Sequence, residues 1–303
     1  RNCVMEEFTG MDCGYCPRGI AGMMKARAAY PDRFIGIAVH QFSGDLMNNW
    51  DYPSLCGNYV PACTYNREVA NDVYIDILQT VEKIINSVTP IDVRATAAFT
   101  DDSKKEVMVN AHILSAVNAS YEVVYALVGD GITGPSFIQT NYYYGDSQGK
   151  WGVTDNDPLS MFLAGGTYGN PYFRYTYDDV LLSSSYTSTV NQGGAFSLAA
   201  DESTDRTYTL KLPTDKTLTD AIANSGYDLY AVVMVLNNFG YVTNACRVKV
   251  TDGAVGIGAI DRNACEPHEV SRYTLDGRRI GGYTPGVNII RMNDGTIKKV
   301  LVK

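Results

Sequence analysis

The chain has 303 residues, 45% of them hydrophobic, and a formal net charge of −8 at pH 7. Because nucleic-acid binding requires clustered Lys and Arg, this acidic balance and a pI near 4.9 exclude a nucleic-acid partner. The length predicts two or three domains, and no apolar run approaches the roughly 18 residues of a membrane-spanning helix.

The N-terminal part alternates strands and helices. Arg1 is not an initiator Met, and a strand is predicted already at residues 4–8, so we expect a preceding segment, including a signal peptide, to have been removed. Apolar residues then recur at helical spacing from residue 20 until Pro31. A strand at 34–39, a polar stretch at 41–59, a strand at 62–65 and a helix at 69–88 follow. This order predicts an α/β domain over residues 1–89.

The remaining chain has a β pattern. From Ile91 the apolar period changes from 3.6 to 2, which predicts an antiparallel β-sandwich over residues 90–251, with strands at 91–99, 107–114, 121–128, 207–212, 229–236 and 241–250. The section 129–194 is rich in Tyr, Gly, Ser and Asn and is predicted to form loops. Residues 252–269 are predicted as a linker, and residues 270–303 as a small β module of three short strands.

Cys13 and Cys16 form a CxxC pair where a predicted strand gives way to a helix. Two thiols one helical turn apart can exchange electrons with another disulfide, and this pattern resembles the active-site corner of a thioredoxin fold. We predict Cys13 as the exposed nucleophile and Cys16 as the resolving thiol. Pro17 favours the first helical position, which would leave Cys13 ahead of the helix and weaken the effect of the helix dipole on its thiolate.

The thioredoxin resemblance implies roles for four further residues. Glu7, six positions before Cys13, would accept the proton of the resolving thiol. Pro61 would follow a cis peptide bond and, with Val60, would face the cysteine pair and offer a backbone edge to an extended substrate. Tyr15 is a second predicted substrate contact, in a Gly-Tyr dipeptide that resembles that of periplasmic disulfide isomerases.

Five other cysteines complete an odd set of seven, which allows at most three pairs and fits an oxidising, exported setting. Cys56 and Cys63 bracket Pro61 and could form a disulfide there. Cys246 and Cys265 could tie the last sandwich strand to the linker. The alternative in each case is two unpaired thiols, and Cys3 is predicted to be a buried free thiol.

Two other interpretations stay open. Cys13–Cys16 could be a static structural disulfide, and the Tyr-rich section could bind a glycan or peptide or could pack the loops of the sandwich. The aromatic residues concerned are Tyr142, Tyr143, Tyr144, Trp151, Tyr168, Tyr172, Tyr175 and Tyr177. Because no second CxxC or His pair is present, we predict no metal site, and no pattern indicates a cofactor.

The segments EEFTGMDCGYCPRG, VPACTYNR and VVYALVGDGITGPSFIQTNYY resemble the outer-membrane-protein-28-related family of Bacteroidetes, across roughly residues 4–250. This resemblance implies a thioredoxin-like domain followed by a β-sandwich, exported to the cell envelope. The tail, with YTLDGRRI and DGTIKKVLVK, is similar to C-terminal sorting domains of the same phylum, which implies export through the outer membrane; the alternative is an ordinary small β module.

Together with the CxxC pair, these features predict a thiol–disulfide oxidoreductase or isomerase that acts on cysteine-bearing partner proteins. Its predicted location is the outer membrane, the cell surface or the extracellular space. The alternative is a non-catalytic surface binding protein.

Overall fold

The computed structural model describes residues 1–57, 59–253, 269–274, 280, 284–292 and 297–302. The chain divides into the compact units Arg1–Gly256 and Ile257–Lys303. The larger unit is built around an extended mixed β-sheet, and the smaller unit contains an antiparallel sheet. Among the described residues, no helix is both long and apolar enough to span a membrane.

The first part of the larger unit contains four strands and two helices, one strand more than the sequence predicted. Its elements are β1 (Cys3–Thr9), α1 (Pro17–Ala29), β2 (Phe34–His40), β3 (Ala62–Tyr65), β4 (Val69–Asn71) and α2 (Ile77–Ile85). β1 pairs parallel with β2 and antiparallel with β3, which pairs antiparallel with β4. Every residue of β1 and β2 is buried, as expected for strands covered on both faces.

The helix predicted at 69–88 is wrong in its first part, because residues 69–71 form β4. The side chain of Asp72 accepts hydrogen bonds from the backbone N–H groups of Tyr74 and Ile75, both at 2.8 Å. Such a local bond competes with the helical backbone ladder, so α2 begins only at Ile77.

The second part carries the strands that the alternating pattern predicted. Its elements are β5 (Ile91–Phe99), β6 (Glu106–Ser115), β7 (Ala119–Gly129), β8 (Ile138–Thr140), α3 (Gln148–Trp151), a 3-10 helix (Pro158–Phe162), β9 (Tyr172–Arg174), β10 (Val180–Ser184), β11 (Ala195–Leu198), β12 (Glu202–Lys211), α4 (Lys216–Asn224), β13 (Leu229–Asn237) and β14 (Val242–Thr251). The antiparallel groups β12-β6-β5 and β14-β13-β7 meet at a short parallel contact between β14 and β5. Alternate residues of β5, β6, β7 and β13 fill one apolar core.

The section 129–194 does not consist only of loops, because it contains β8, β9 and β10. β10 is decisive for the architecture, since it pairs parallel with β2 and antiparallel with β7. It thereby joins the predicted α/β domain and the predicted sandwich in a single sheet. The boundary expected at residues 89–90 consequently lies inside one compact unit.

The smaller unit contains β15 (Glu269–Thr274), β16 (Gly286–Met292) and β17 (Ile297–Val302), which pair antiparallel in that order. This agrees with the small β module predicted for residues 270–303. Most of the predicted linker, 252–269, lies outside the described residues, and so does Cys265.

Candidate redox site

Cys13 and Cys16 form a disulfide with a Cα–Cα distance of 5.3 Å. β1 ends at Thr9, and residues 10–16, here called the redox loop, lead into α1. Cys16 is the N-cap residue and Pro17 opens the helix, so Cys13 lies ahead of the helix, as the proline predicted. Cys16 therefore lies closer than Cys13 to the N-terminus of the helix.

The structure corrects the expectation of an exposed Cys13. Its side chain is only 5% exposed, and that of Cys16 is fully buried. Tyr15 between them is 56% exposed, which places a predicted substrate contact at the surface. A segment from the second part of the unit packs along the redox loop.

This segment comprises residues 139–143 and is here called the clasp. The N–H group of Thr140 donates to the carbonyl of Met11, and that of Tyr142 donates to the carbonyl of Gly14, both at 2.8 Å. The ring of Tyr142 lies directly on Gly14, where a Cβ would be 2.4 Å from it. A larger residue at this position would therefore require the Tyr142 ring to move.

Gln139 fastens the clasp to the redox loop with its side chain. The residue is 1% exposed, and its Nε2 donates to the carbonyl of Cys13 at 3.0 Å and to that of Gly10 at 3.4 Å. Its Oε1 accepts a hydrogen bond from the hydroxyl of Tyr177 at 3.0 Å. Gln139 was not predicted as a site residue, because it lies 126 positions from Cys13 and gives no local signal of this contact.

Glu7 lies on β1 under the first turn of α1. A Cβ at Gly19 would be 1.8 Å from Oε1 of Glu7, so the carboxyl group packs against the helix backbone three residues after Cys16. Glu7 is 1% exposed, and no described residue donates a hydrogen bond to its Oε1. Burial raises its pKa to about 8, against a smaller lowering by a hydrogen bond from Thr9.

Glu7, His40 and Tyr177 are among the residues lining a small cavity of about 40 Å³ beneath α1. That volume is enough to hold a water molecule between polar side chains. Nδ1 of His40 lies 2.7 Å from Oδ2 of Asp45. The site thus has a carboxyl group, an imidazole and a phenol around one polar cavity.

Asp45 contacts both His40, which lines this cavity, and Met11 of the redox loop. Its Oδ2 also accepts the N–H group of Met11 at 2.8 Å, and its Oδ1 accepts that of Met47. Burial opposes ionisation of Asp45, but the charge of His40 and these hydrogen bonds lower its pKa below the usual value. Neither His40 nor Asp45 was recognised in the sequence.

The peptide bond between Val60 and Pro61 is cis, which confirms the predicted conformation. Phe8 pairs with Ala62, so Pro61 lies beside the end of β1, where the redox loop begins. Val60 is half-buried. The roles of both residues in substrate binding stay predictions.

The other cysteines in the described ranges are free thiols. The disulfide expected between Cys56 and Cys63 is not formed, because the two side chains pack in different apolar clusters and Sγ of Cys63 donates to the carbonyl of Asn71. Cys3 is buried and free, as predicted, and Cys246 is free as well. Burial raises the pKa of Cys3 to about 12 and that of Cys56 to about 11.

Most of the Tyr-rich cluster is packed inside the protein. Ring pairs include Tyr143 with Trp151 at 5.2 Å between centroids and Tyr175 with Tyr177 at 5.0 Å. Tyr142, Tyr144 and Tyr172 are the exceptions and are 58%, 47% and 67% exposed. Across the residues that the structure describes, no three His, Cys, Asp or Glu side chains are grouped to hold a metal ion.

No protein-family model matches this chain, and no curated protein matches it. HBP35 of Porphyromonas gingivalis has a similar solved structure, with a TM-score of 0.55 and 17% identity over 100% of this chain and 98% of that chain. A crystal structure of an Agrobacterium tumefaciens protein has a TM-score of 0.43 and 14% identity over 84% of this chain and 96% of that chain. The chain therefore shares its overall fold with a protein of the Bacteroidetes.

Proposed function

We propose that this protein is a thiol–disulfide oxidoreductase or isomerase of the cell envelope that acts on cysteine-containing proteins. The observation that carries the proposal is the Cys13–Cys16 disulfide at the junction of β1 and α1, with the buried carboxyl group of Glu7 under the same helix turn. The sheet order β2-β1-β3-β4, with α1 following β1 and α2 following β4, supports a thioredoxin-like arrangement of this part.

The proposed reaction transfers two electrons from the reduced cysteine pair to a substrate disulfide. The thiolate of Cys13 attacks one substrate sulfur, and the other substrate sulfur leaves as a thiolate and takes a proton from water. Cys16 then gives its proton to the Glu7 carboxylate and attacks Sγ of Cys13. The bond from Cys13 to the substrate breaks, which releases the second substrate thiolate and leaves the Cys13–Cys16 disulfide. Isomerisation would use the same steps in reverse on a second pair of substrate sulfurs.

Glu7 suits this role because a proton acceptor works best with a pKa near the operating pH. Its pKa of about 8 allows it both to take and to release a proton near neutrality. In the proposed complex, Val60, Pro61 and Tyr15 contact the substrate chain, and the strands β5 to β14 help to recruit the partner.

The decisive test is reduction of insulin by dithiothreitol in the presence of the protein. We expect Cys13→Ser to abolish turnover, because the thiol that attacks the substrate is lost, and Cys16→Ser to accumulate a mixed disulfide. Cys246→Ser is the matched control, because it removes a free thiol that plays no part in the disulfide. Wild-type turnover in Cys13→Ser would contradict the proposal.

One observation favours the second candidate, a binding protein with an inert disulfide: Cys13 is only 5% exposed. The two candidates differ after mild reduction followed by alkylation. If the protein is an oxidoreductase, Cys13 should be alkylated rapidly. If the disulfide is a static cross-link, it should resist reduction, and any ligand should bind at the exposed Tyr142, Tyr144 and Tyr172.

Export belongs to the same proposal. It is supported by the sequence resemblance of residues 4–250 to an exported envelope family of the Bacteroidetes. The antiparallel sheet β15-β16-β17 is proposed to be a sorting domain for transfer across the outer membrane, on the strength of its sequence resemblance alone.

A further inference from the structure

The redox loop is held by a part of the chain outside the β1–α2 region. Backbone carbonyls of Met11, Cys13 and Gly14 all accept hydrogen bonds from the clasp. The hydroxyl of Tyr143 adds a longer bond, 3.4 Å, to the carbonyl of Tyr15. The conformation of the loop between and around the cysteines is therefore fixed by tertiary contacts as well as by the disulfide.

Gln139 is the centre of these contacts. Its amide nitrogen is shared among the carbonyls of Cys13, Gly10 and Thr140, and its oxygen is held by Tyr177. A buried amide with partners on both of its atoms has a single favourable orientation. Gln139 can thus hold the Cys13 backbone in place whether or not the disulfide is closed.

We propose that Gln139 is a positioning residue of the redox centre and that the clasp shifts the Cys13–Cys16 couple toward the disulfide. This inference rests on the proposed redox function, because it concerns the regulation of the same site. The physical reason is entropic. The disulfide already restricts the redox loop, whereas the dithiol can gain conformational freedom, so a clasp that restrains the dithiol lowers the entropy lost on ring closure.

The relevant equilibrium is the exchange with glutathione. One disulfide and two molecules of reduced glutathione give the Cys13–Cys16 dithiol and one molecule of oxidised glutathione. Two electrons pass from the glutathione sulfurs to the protein sulfurs, and the two thiol protons of glutathione are taken up by Cys13 and Cys16. Loss of the clasp should favour the dithiol in this equilibrium.

The test uses the full chain as wild type and as Gln139→Met, which keeps the size of the side chain and removes its hydrogen bonds. Each protein is equilibrated in glutathione buffers, quenched in acid and alkylated, and the peptide containing Cys13 and Cys16 is quantified by mass spectrometry. We expect the equilibrium in Gln139→Met to move about three- to tenfold toward the dithiol, because the backbone bonds of the clasp remain and only part of the ordering of one residue is lost.

Two further variants separate positioning from general stability. Tyr177→Phe removes only the hydrogen bond that orients Gln139 and should shift the equilibrium in the same direction by a smaller factor. Asn110→Leu removes a buried amide on β6 that bonds Thr207 and does not contact the redox loop, so it should leave the equilibrium unchanged.

An unchanged equilibrium in folded Gln139→Met, or an equal shift in Asn110→Leu, would overturn the inference. If Gln139→Met does not fold, the test rests on Tyr177→Phe. An unchanged glutathione equilibrium in Tyr177→Phe would then overturn the inference. The glutathione equilibrium is measurable whether or not insulin is reduced. Failure of turnover would therefore remove the proposed function while leaving this result intact.

Discussion

Glu6 and Glu7 are adjacent in the sequence and have opposite environments in the fold. Glu6 is buried and paired with Arg67, whose Nη2 lies 2.8 Å from Oε1, and it also accepts the hydroxyl of Tyr52. Glu7 faces the other side of β1, and no Lys, Arg or His in the described ranges pairs with it. An unpaired buried carboxyl group is costly, and such groups cluster at functional sites.

We predict that Glu7 makes the stability of the protein depend on pH. Its pKa rises from 4.5, the usual value, to about 8 in the folded protein. Between these values the native state binds a proton that the unfolded state has released, so the free energy of unfolding falls as pH rises, by up to about 1.4 kcal/mol per pH unit. Below pH 4.5, Glu7 is protonated in both the native and the unfolded state, so it does not make the free energy of unfolding depend on pH.

Glu7→Gln should therefore be more stable than wild type at pH 8 and equal to it near pH 4, as measured by urea denaturation across this range. Resolution of the mixed disulfide should nevertheless be slower, because the proton acceptor is lost. Glu82→Gln, at an exposed position of α2, is the control and should not change the pH slope. A pH slope in Glu7→Gln equal to that of wild type would count against this assignment.

At the scale of elements, α1 depends on glycine for its position. A Cβ at Gly22 would lie 1.9 Å from the carbonyl of Val73, so only glycine allows this approach of α1 to the turn before α2. Within a helix, glycine costs about 1 kcal/mol relative to alanine. Gly22 therefore lowers the intrinsic stability of α1 but allows the helix to pack over β1. This packing places Cys16 at the N-terminus of α1.

Gly22→Ala should consequently lower the free energy of unfolding, by about 1–3 kcal/mol, although it improves helix propensity. Gly149→Ala is the matched control, because Gly149 is an exposed glycine of α3 with no atom within 4 Å of an added Cβ. We expect this control to be neutral or stabilising in chemical denaturation. A stabilised Gly22→Ala would mean that α1 can move away from Val73 without loss.

At the scale of the whole molecule, the candidate redox site belongs to one unit that spans both predicted domains. β2 is buried along its full length and pairs with β10, and the redox loop is bonded to the clasp. Both partners follow residue 89 in the sequence. The region 1–89 alone would therefore leave a buried strand edge and the carbonyls of the redox loop exposed.

We predict that a fragment of residues 1–89 does not fold cooperatively, whereas residues 1–256 do. The measurement is urea denaturation followed by far- and near-ultraviolet circular dichroism, with the full chain as the reference. A cooperative transition in the short fragment would show that β10 and the clasp are dispensable for this region.

Local patterns were sufficient for much of the fold. Alternation with a period of two predicted β5, β6, β7 and β13 closely, because each buries every second residue in the same core. β12 begins at Glu202, five residues before its predicted start, because its first residues are largely exposed and carry no apolar alternation. β10 escaped prediction because a five-residue strand in a Tyr- and Ser-rich section shows no period.

The sequence by itself determined the CxxC pair, the strand before it, the proline that opens α1 and the carboxyl group six residues before Cys13. These features depend only on the spacing of residues that are near one another in the sequence. Tertiary structure alone decided that no cation among the described residues pairs with Glu7, that Cys56 and Cys63 are not joined, and that Gln139 holds the Cys13 carbonyl. The physical reason is that desolvation and hydrogen bonding depend on which distant segments pack against a residue, and spacing in sequence does not encode that choice.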